Sequence, residues 1–269
     1  YIGFFTDRKS GQRKRIRSIM QDETGIDPLK TRRTAQEALE GVRDREARAL
    51  YGPVREAAQA EPVNVSMGMR MMLKQDPDMK GAADDALLSM QRRAAREGRQ
   101  DAYDMTIGDV EDSFEFWHEL QSTLRERASQ LGTPTRTGTS RRAGGMVGSL
   151  RDDLMGELTD PRRHSWGPAY EKATLKYRQS SEVIEALKDS AEFAKTDPAD
   201  LRKIMSGLSD EERTAFATGT VADLLYKVAG QSDTSNQARS LMKSTRLKEN
   251  LAVLLGEGPA AKLIDRLED

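Results

Sequence analysis

The chain has 269 residues, of which 36% are hydrophobic, 32% are charged and 5% are aromatic, and its net charge is -1 at pH 7. So few bulky apolar side chains favour well-solvated helices over a compact enzyme with a thick core, and the balanced charge does not indicate a polyanionic partner for the whole chain. Cysteine is absent, which excludes disulfides, thiolate catalysis and zinc–sulfur sites. The chain begins at Tyr1, and we expect it to be a piece of a longer polypeptide.

Residues 1–33 are predicted to form a basic N-terminal arm or linker. Six Lys and Arg residues lie between positions 8 and 17, and such a cluster could contact phosphates. Apolar residues follow the helical period behind these charges, which favours the solvated face of a short helix instead. The candidate nucleic-acid contacts of this segment are Arg13, Lys14, Arg15 and Arg17.

Residues 34–108 are predicted to form an N-terminal helical segment. A first helix should span 34–60, because Thr34 and Glu37 have the spacing of a capping box. The Gly-Pro pair at 52–53 should break or kink it. A third helix, 81–98, should end at Gly98, a plausible C-terminal cap.

Between these helices lies a short methionine-rich helix, predicted over 66–74. Its methionines are Met67, Met69, Met71 and Met72. A methionine cluster can form an adaptable binding surface. At helical spacing it is more often ordinary core, and this is the reading that we favour.

Residues 109–193 are predicted to form a long central antiparallel helical hairpin, around which an elongated multi-helix bundle is built. Apolar residues of its first half recur at steps of three and four, which places them on one helix face. Residues 132–145 are rich in Gly, Thr and Pro, so no helix should cross them. The second half resumes at Met146, pauses at Asp160 and Pro161, and continues through Trp166 to Leu187.

Residues 194–269 are predicted to form a C-terminal subdomain of small helices. Pro198 should lie in the first turn of a helix that ends near Gly207, and Ser209 with Glu212 has capping-box spacing before the next helix. Three more helices are expected at 235–244, 246–255 and from 258 onward. No stretch alternates with period two, so the fold class is all-α, with nine to eleven helices. No run approaches the ~20 apolar residues that span a bilayer.

No reactive constellation stands out, and we predict no catalytic, cofactor-binding or metal-ligating residue. Asp152, Asp153 and Glu157 share one helix with neighbouring arginines, which is typical of a solvated face. If the chain were a hydrolase, Glu157 or Glu119 would be the acidic candidates. The two histidines, His118 and His164, are read as a boundary residue and a turn residue.

The predicted hairpin tip carries further candidates for nucleic-acid contact. Arg136, Arg141 and Arg142 lie there among threonines and glycines, where exposed arginines could touch phosphates. The tip lacks aromatic residues for stacking on bases, which favours a disordered polar loop.

From about residue 34 onward, the order of helices and turns resembles a helical region of tailed-phage and prophage virion proteins. The resemblance begins with Leu-Lys-Gln-Asp-Pro at 73–77 and continues through 91–98. It includes Leu-Arg-Asp-Asp-Leu at 150–154 and Pro-Ala-Tyr at 168–170. A terminal block completes it, with matching segments at 184–187, 197–201, 208–212, 216–219 and 222–225 and at Asn236 and Arg239.

The resemblance implies a non-enzymatic structural module, an internal or genome-ejection protein located in the capsid or tail and delivered to the host cell. Its partners would be other virion proteins or copies of itself, with DNA contact as a candidate and without a small-molecule substrate or cofactor. Helices of alternating charge suit oligomeric, coiled-coil-like packing. Two alternatives stay open: a fragment of a peptidoglycan-degrading virion enzyme and a nucleic-acid-binding adaptor.

Overall fold

The computed structural model describes residues 14–15, 18–19, 21–22, 24, 31–99, 102–132, 138–229 and 243–268. Within these ranges the chain forms eleven α-helices and no strand, which confirms the all-α prediction. The helices are α1 (Arg32–Ala60), α2 (Met67–Gln75), α3 (Pro77–Arg96), α4 (Ile107–Val110), α5 (Phe114–Gly132), α6 (Gly138–Thr159), α7 (Gly167–Asp189), α8 (Pro198–Gly207), α9 (Asp210–Ala229), α10 (Thr245–Leu255) and α11 (Glu257–Glu268), with 3-10 turns at Ala102–Asp104 and Ser190–Glu192.

The helices are distributed over two compact units. The middle unit comprises residues 47–176, and the terminal unit comprises residues 1–46 together with 177–269. The boundaries between the units fall within α1 and α7. The elongated bundle, the central hairpin and the domain boundaries after residues 33, 108 and 193 stay predictions.

Helix α1 differs from its prediction at its start and at its proline. Thr34 donates its backbone N–H to the Thr31 hydroxyl at 3.1 Å, so Thr31 caps the helix. Glu37 pairs with Arg33 at 3.3 Å and does not complete a capping box. Pro53 lies inside the helix, which continues to Ala60, so the helix does not break there, and the kink stays a prediction.

Other helix ends follow the predicted local chemistry. Ser209 donates its backbone N–H to the Glu212 carboxylate at 2.6 Å, and the Glu212 N–H donates to the Ser209 hydroxyl at 3.3 Å. This reciprocal pair is the capping box predicted before α9. Gly98 follows α3 with φ of +82°, a conformation that glycine adopts without strain. The predicted helix at 235–244 lies outside the described residues.

The predicted restart of the helix at Met146 is wrong, because α6 already begins at Gly138, within the stretch 132–145. Helix α5 ends at Gly132, so no described helix crosses the whole stretch. Glycine inside a helix costs about 1 kcal/mol relative to alanine, and α6 contains several glycines. Its apolar stripe of Val147, Leu154 and Leu158 is fully buried. Burial of such side chains contributes roughly 1.5–3 kcal/mol each, so packing outweighs the poor helix propensity.

An aromatic cluster forms the core of the middle unit. Phe114 makes edge-to-face contacts with Trp166 and with Tyr170, each with ring centroids 5.1 Å apart. Tyr51 lies 6.0 Å from Tyr170 in a similar arrangement. Such pairs add about 0.5–1.5 kcal/mol each beyond their buried area. The cluster therefore holds α1, α5 and α7 together within this unit.

The terminal unit has a separate, mainly aliphatic core. Its buried side chains come from α8, α9, α10, α11 and the turn after α7, and they include Phe193, Leu201, Phe216, Leu251 and Leu263. The buried Asn250 amide donates to the carbonyls of Phe193 and Thr196 at 2.7 and 3.0 Å. These bonds fix α10 to the segment that follows α7.

Gly219 allows α9 to lie directly against the end of α7. A Cβ atom at this position would lie 2.1 Å from the Ser190 hydroxyl oxygen and 2.7 Å from the Leu187 carbonyl oxygen. The second neighbour is backbone and cannot move without shifting the helix. Glycine is therefore required here for close approach rather than for an unusual φ angle.

We expect Gly219→Ala to destabilise the terminal unit by about 1–3 kcal/mol, because overpacking outweighs the gain in helix propensity. Urea unfolding followed by circular dichroism measures the change. Gly41→Ala in α1 is the matched control, since a Cβ there meets only the Arg45 guanidinium at 3.6 Å. Equal stability of the two variants would contradict this role of Gly219.

Candidate functional site

The short helix α2 presents an exposed methionine face, defined here as Met67, Met71 and Met72. Their side chains are 73%, 49% and 39% exposed, whereas Met69 and Leu73 on the opposite side are 3% exposed. The prediction that the cluster is ordinary core is therefore wrong for three of its four methionines. Met67 and Met71 are one turn apart, and paired exposed apolar side chains of this kind are typical of an interaction site.

The sequence did contain a signal for this face. Met69 and Leu73 are four residues apart, and so are Met67 and Met71, so the nine-residue helix carries two apolar stripes on different sides. Only one stripe can face the core of the unit. Which of them does so depends on the partners of α2, and these come from distant parts of the chain.

The start of α2 is fixed by a carboxylate from α6. Ser66 is the N-cap residue, and its hydroxyl accepts the backbone N–H of Met69 at 3.1 Å. Glu157 accepts the Ser66 backbone N–H at 2.5 Å with one oxygen and the Ser66 hydroxyl with the other. Both oxygens of this candidate acid are thus engaged in holding a helix terminus.

An arginine–carboxylate groove of about 820 Å³ lies between α3, α5 and α6 in the same unit. Asp85 accepts from the Arg127 guanidinium at 2.5 and 3.1 Å. A Cβ at Gly81 would lie 2.7 Å from Arg127 Nη1, so the guanidinium lies against α3 at this glycine. The walls of the groove carry four arginines and four carboxylates, and these charges balance.

Glu119, the other candidate acid, lies in this groove. It accepts from the Ser89 hydroxyl at 2.5 Å and pairs with Arg93 at 3.2 Å. Glycoside hydrolysis needs one carboxylic acid that donates a proton and a second carboxylate beside the scissile bond. Two donors occupy Glu119, one on each carboxylate oxygen, so the geometry suits an ion pair between α3 and α5.

The two histidines belong to the aromatic core. His118 Nδ1 lies 3.0 Å from the Tyr170 hydroxyl, and burial raises the pKa of Tyr170 well above its usual value. The hydroxyl therefore stays protonated, and the two groups form a hydrogen bond whose donor is set by the tautomer of the imidazole. His164 is fully buried and stacks on Trp166 with ring centroids 4.4 Å apart. Its backbone lies in the predicted turn, whereas its side chain is part of the core.

The structure describes only some of the predicted nucleic-acid contacts, and their role stays a prediction. Lys14 and Arg15 are exposed on helical backbone. Arg141 and Arg142 lie in the first turns of α6. The remaining candidates lie outside the described residues, namely Arg13, Arg17 and Arg136.

Within the described ranges, no group of three or more His, Asp or Glu residues has an arrangement that could hold a metal ion. None of the described helices is long and apolar enough to cross a membrane.

Comparison with known proteins gives no relative. No family model matches the chain, and no curated protein or solved structure is similar to it.

The Glu157–Ser66 contact should contribute measurably to stability. Ser66→Ala removes the N-cap and should cost about 1 kcal/mol, and Glu157→Gln removes a charge-assisted acceptor, which should cost about 1.5–3 kcal/mol. Because the two residues are in direct contact, the double variant should lose less stability than the two single variants lose in total. Urea unfolding of the four proteins measures this coupling. Strict additivity would contradict a direct contact.

The stability of the middle unit should fall as the pH falls below 6.5. Burial, reinforced by Arg55, lowers the pKa of His118 from 6.5 to about 4. Between these values the unfolded chain binds a proton that the folded chain does not, so stability decreases towards acid pH, by up to about 3 kcal/mol.

The measurement is urea unfolding between pH 7 and pH 4, compared with His118→Gln, which keeps an acceptor for Tyr170. Carboxylates titrate in both proteins, so the difference between the two curves isolates the histidine. If the free energy of unfolding had the same pH dependence in both proteins, His118 would not be the group responsible.

Proposed function

We propose that the chain is a non-enzymatic structural module of a phage virion protein, an internal or genome-ejection protein that works by packing against other helical subunits. It would be located inside the capsid or tail and delivered to the host cell on infection. The motifs at 73–98, 150–177 and 184–239 that resemble phage virion proteins supply the biological setting. The surface of α2 supplies the physical reason for a packing role.

The observation that carries the packing role is the exposed methionine face. Met67 leaves nearly three quarters of its side chain in solvent, next to a Met71 that is half exposed. Methionine is unbranched and polarisable, so a methionine surface adapts to partner helices of different shape. An assembly part that meets several neighbours needs such a surface, whereas a soluble monomer gains nothing from it.

The alternative of a peptidoglycan-degrading enzyme has less support. Glu157 caps α2 through Ser66, and Glu119 joins α3 to α5 through Ser89 and Arg93. Both candidate acids have structural partners, which favours the packing role. A zymogram on peptidoglycan distinguishes the two: clearing that disappears with Glu119→Gln would favour the enzyme.

The virion location is tested by mass spectrometry of purified particles before and after genome release. We expect peptides of this chain in intact particles and their depletion after release. Major capsid peptides, which stay with the emptied shell, are the internal control. Particles that lack the chain would overturn the proposal.

A further inference from the structure

His164 is a titratable side chain in the core of the middle unit that has no hydrogen bond to hold a charge. Its ring is fully buried, and neither ring nitrogen has a hydrogen-bond partner in the part of the chain that the structure describes. Trp166 stacks on it, and the indole nitrogen likewise has no partner there. Burial of a polar group without a hydrogen bond is costly, and burial of an unpaired charge costs far more. The site therefore suits the neutral imidazole and excludes the protonated one.

Among the described residues, four charged side chains act on this imidazole. Burial is the main cause that lowers the pKa of His164 below its usual value, and Arg163 in the same turn adds to it. The carboxylates of Glu61, Asp160 and Glu157 act in the opposite direction without reversing the shift. The ring consequently stays neutral for as long as it remains buried.

The turn that carries this histidine, residues 160–166, lies against the linker that leads into α2. Glu61, at the start of the linker, accepts the backbone N–H of Ser165 at 3.3 Å and its hydroxyl at 2.7 Å. The guanidinium of Arg163 lies 3.5 Å from the carbonyl oxygen of Asn64. The residues immediately before and after the histidine thus both contact the linker, so a displacement of the buried ring would disturb both contacts.

The remainder of the linker is held by residues outside the turn. Val63 donates its backbone N–H to the carbonyl of Asp112 at 3.1 Å, and its side chain is buried. Ser66 donates its backbone N–H at 2.5 Å to Glu157, which belongs to α6. Loss of the contacts of the turn would therefore open the structure locally and leave these two hydrogen bonds in place.

We propose that the turn 160–166 is an acid-sensitive latch on the linker 61–66. When His164 takes up a proton, the charged ring leaves its buried site for solvent, the turn moves outward with it, and the contact between Ser165 and Glu61 is lost. The rest of the middle unit stays folded. This inference goes beyond the proposed virion function and does not depend on it.

Opening of the latch should become about tenfold more favourable for each pH unit below 6.5, down to the lowered pKa of the buried ring. In this interval the open turn binds a proton that the closed turn does not, so acid pH favours the open form. Hydrogen exchange detected by NMR on the full chain between pH 7 and pH 5 measures the opening, after correction for the pH dependence of the intrinsic exchange rate.

Four backbone N–H groups distinguish local opening from global unfolding. Those of Ser165 and Gly167 report on the latch, because they donate to Glu61 and to the carbonyl of residue 164. Those of Val63 and Ser66 are internal controls, since their acceptors lie outside the turn. We expect acid to accelerate exchange at the first pair only. Equal acceleration at all four positions would overturn the latch.

His164→Gln provides the decisive variant, because glutamine is polar but does not take up a proton in this pH range. His164→Phe is a second variant, which keeps a flat ring for the stack on Trp166. Each variant that folds should lose the tenfold acid dependence of exchange at Ser165. Acid dependence that persists in these variants would overturn the proposal, as would its absence from the unmodified chain.

The matched control is His118→Gln, which removes the other histidine of the same unit. The His118 ring contacts Tyr170 rather than the turn. This variant should keep the acid dependence at Ser165 unchanged, although it alters the pH dependence of global unfolding. If it abolished the acid dependence at Ser165, the opening would follow the charge of His118, and His164 would not be the group that controls the turn.

Discussion

The bond between Glu157 and Ser66 fixes where α2 begins, and burial of Met69 and Leu73 then leaves the other side in solvent. A nine-residue helix is too short to be stable alone in water, so α2 depends on its cap and on burial of Met69 and Leu73. The carboxylate from α6 satisfies the backbone donor that precedes the helix and fixes the direction in which the helix leaves. The remaining methionines then have no core to enter, and the exposed face is a consequence of this constraint.

Glu157 and the second candidate acid, Glu119, both hold helices in place through hydrogen bonds. In a sequence, a carboxylate near a serine and an arginine matches many active-site patterns. In this structure, both oxygens of each carboxylate already have a hydrogen-bond or ion-pair partner. Glu119 and Glu157 each join two helices that are distant in sequence. In a chain with one third charged residues and few large apolar ones, such charge-assisted bonds supplement the aromatic core of the middle unit.

Features set by local chemistry could be predicted, and features set by distant partners could not. The capping box of Ser209 and Glu212 and the helix stop at Gly98 depend on residues within one turn, so the spacing alone indicated them. The early start of α6 and the exposure of Met67 depend on what packs against them. The local preference of glycine for loops and the usual burial of methionine both pointed to the wrong result, because tertiary contacts outweighed them.

The small apolar area of the methionine face favours weak, reversible binding. Removing a methionine side chain fully from water contributes roughly 1.5–3 kcal/mol, and Met67 and Met71 are already partly covered in the free chain. Association costs an estimated 4–15 kcal/mol in lost translational and rotational freedom, so a few such side chains do not offset this cost by much. Flanking charges add selectivity more than strength. A surface of this size gives little affinity to a single contact and becomes effective only when several such contacts act together.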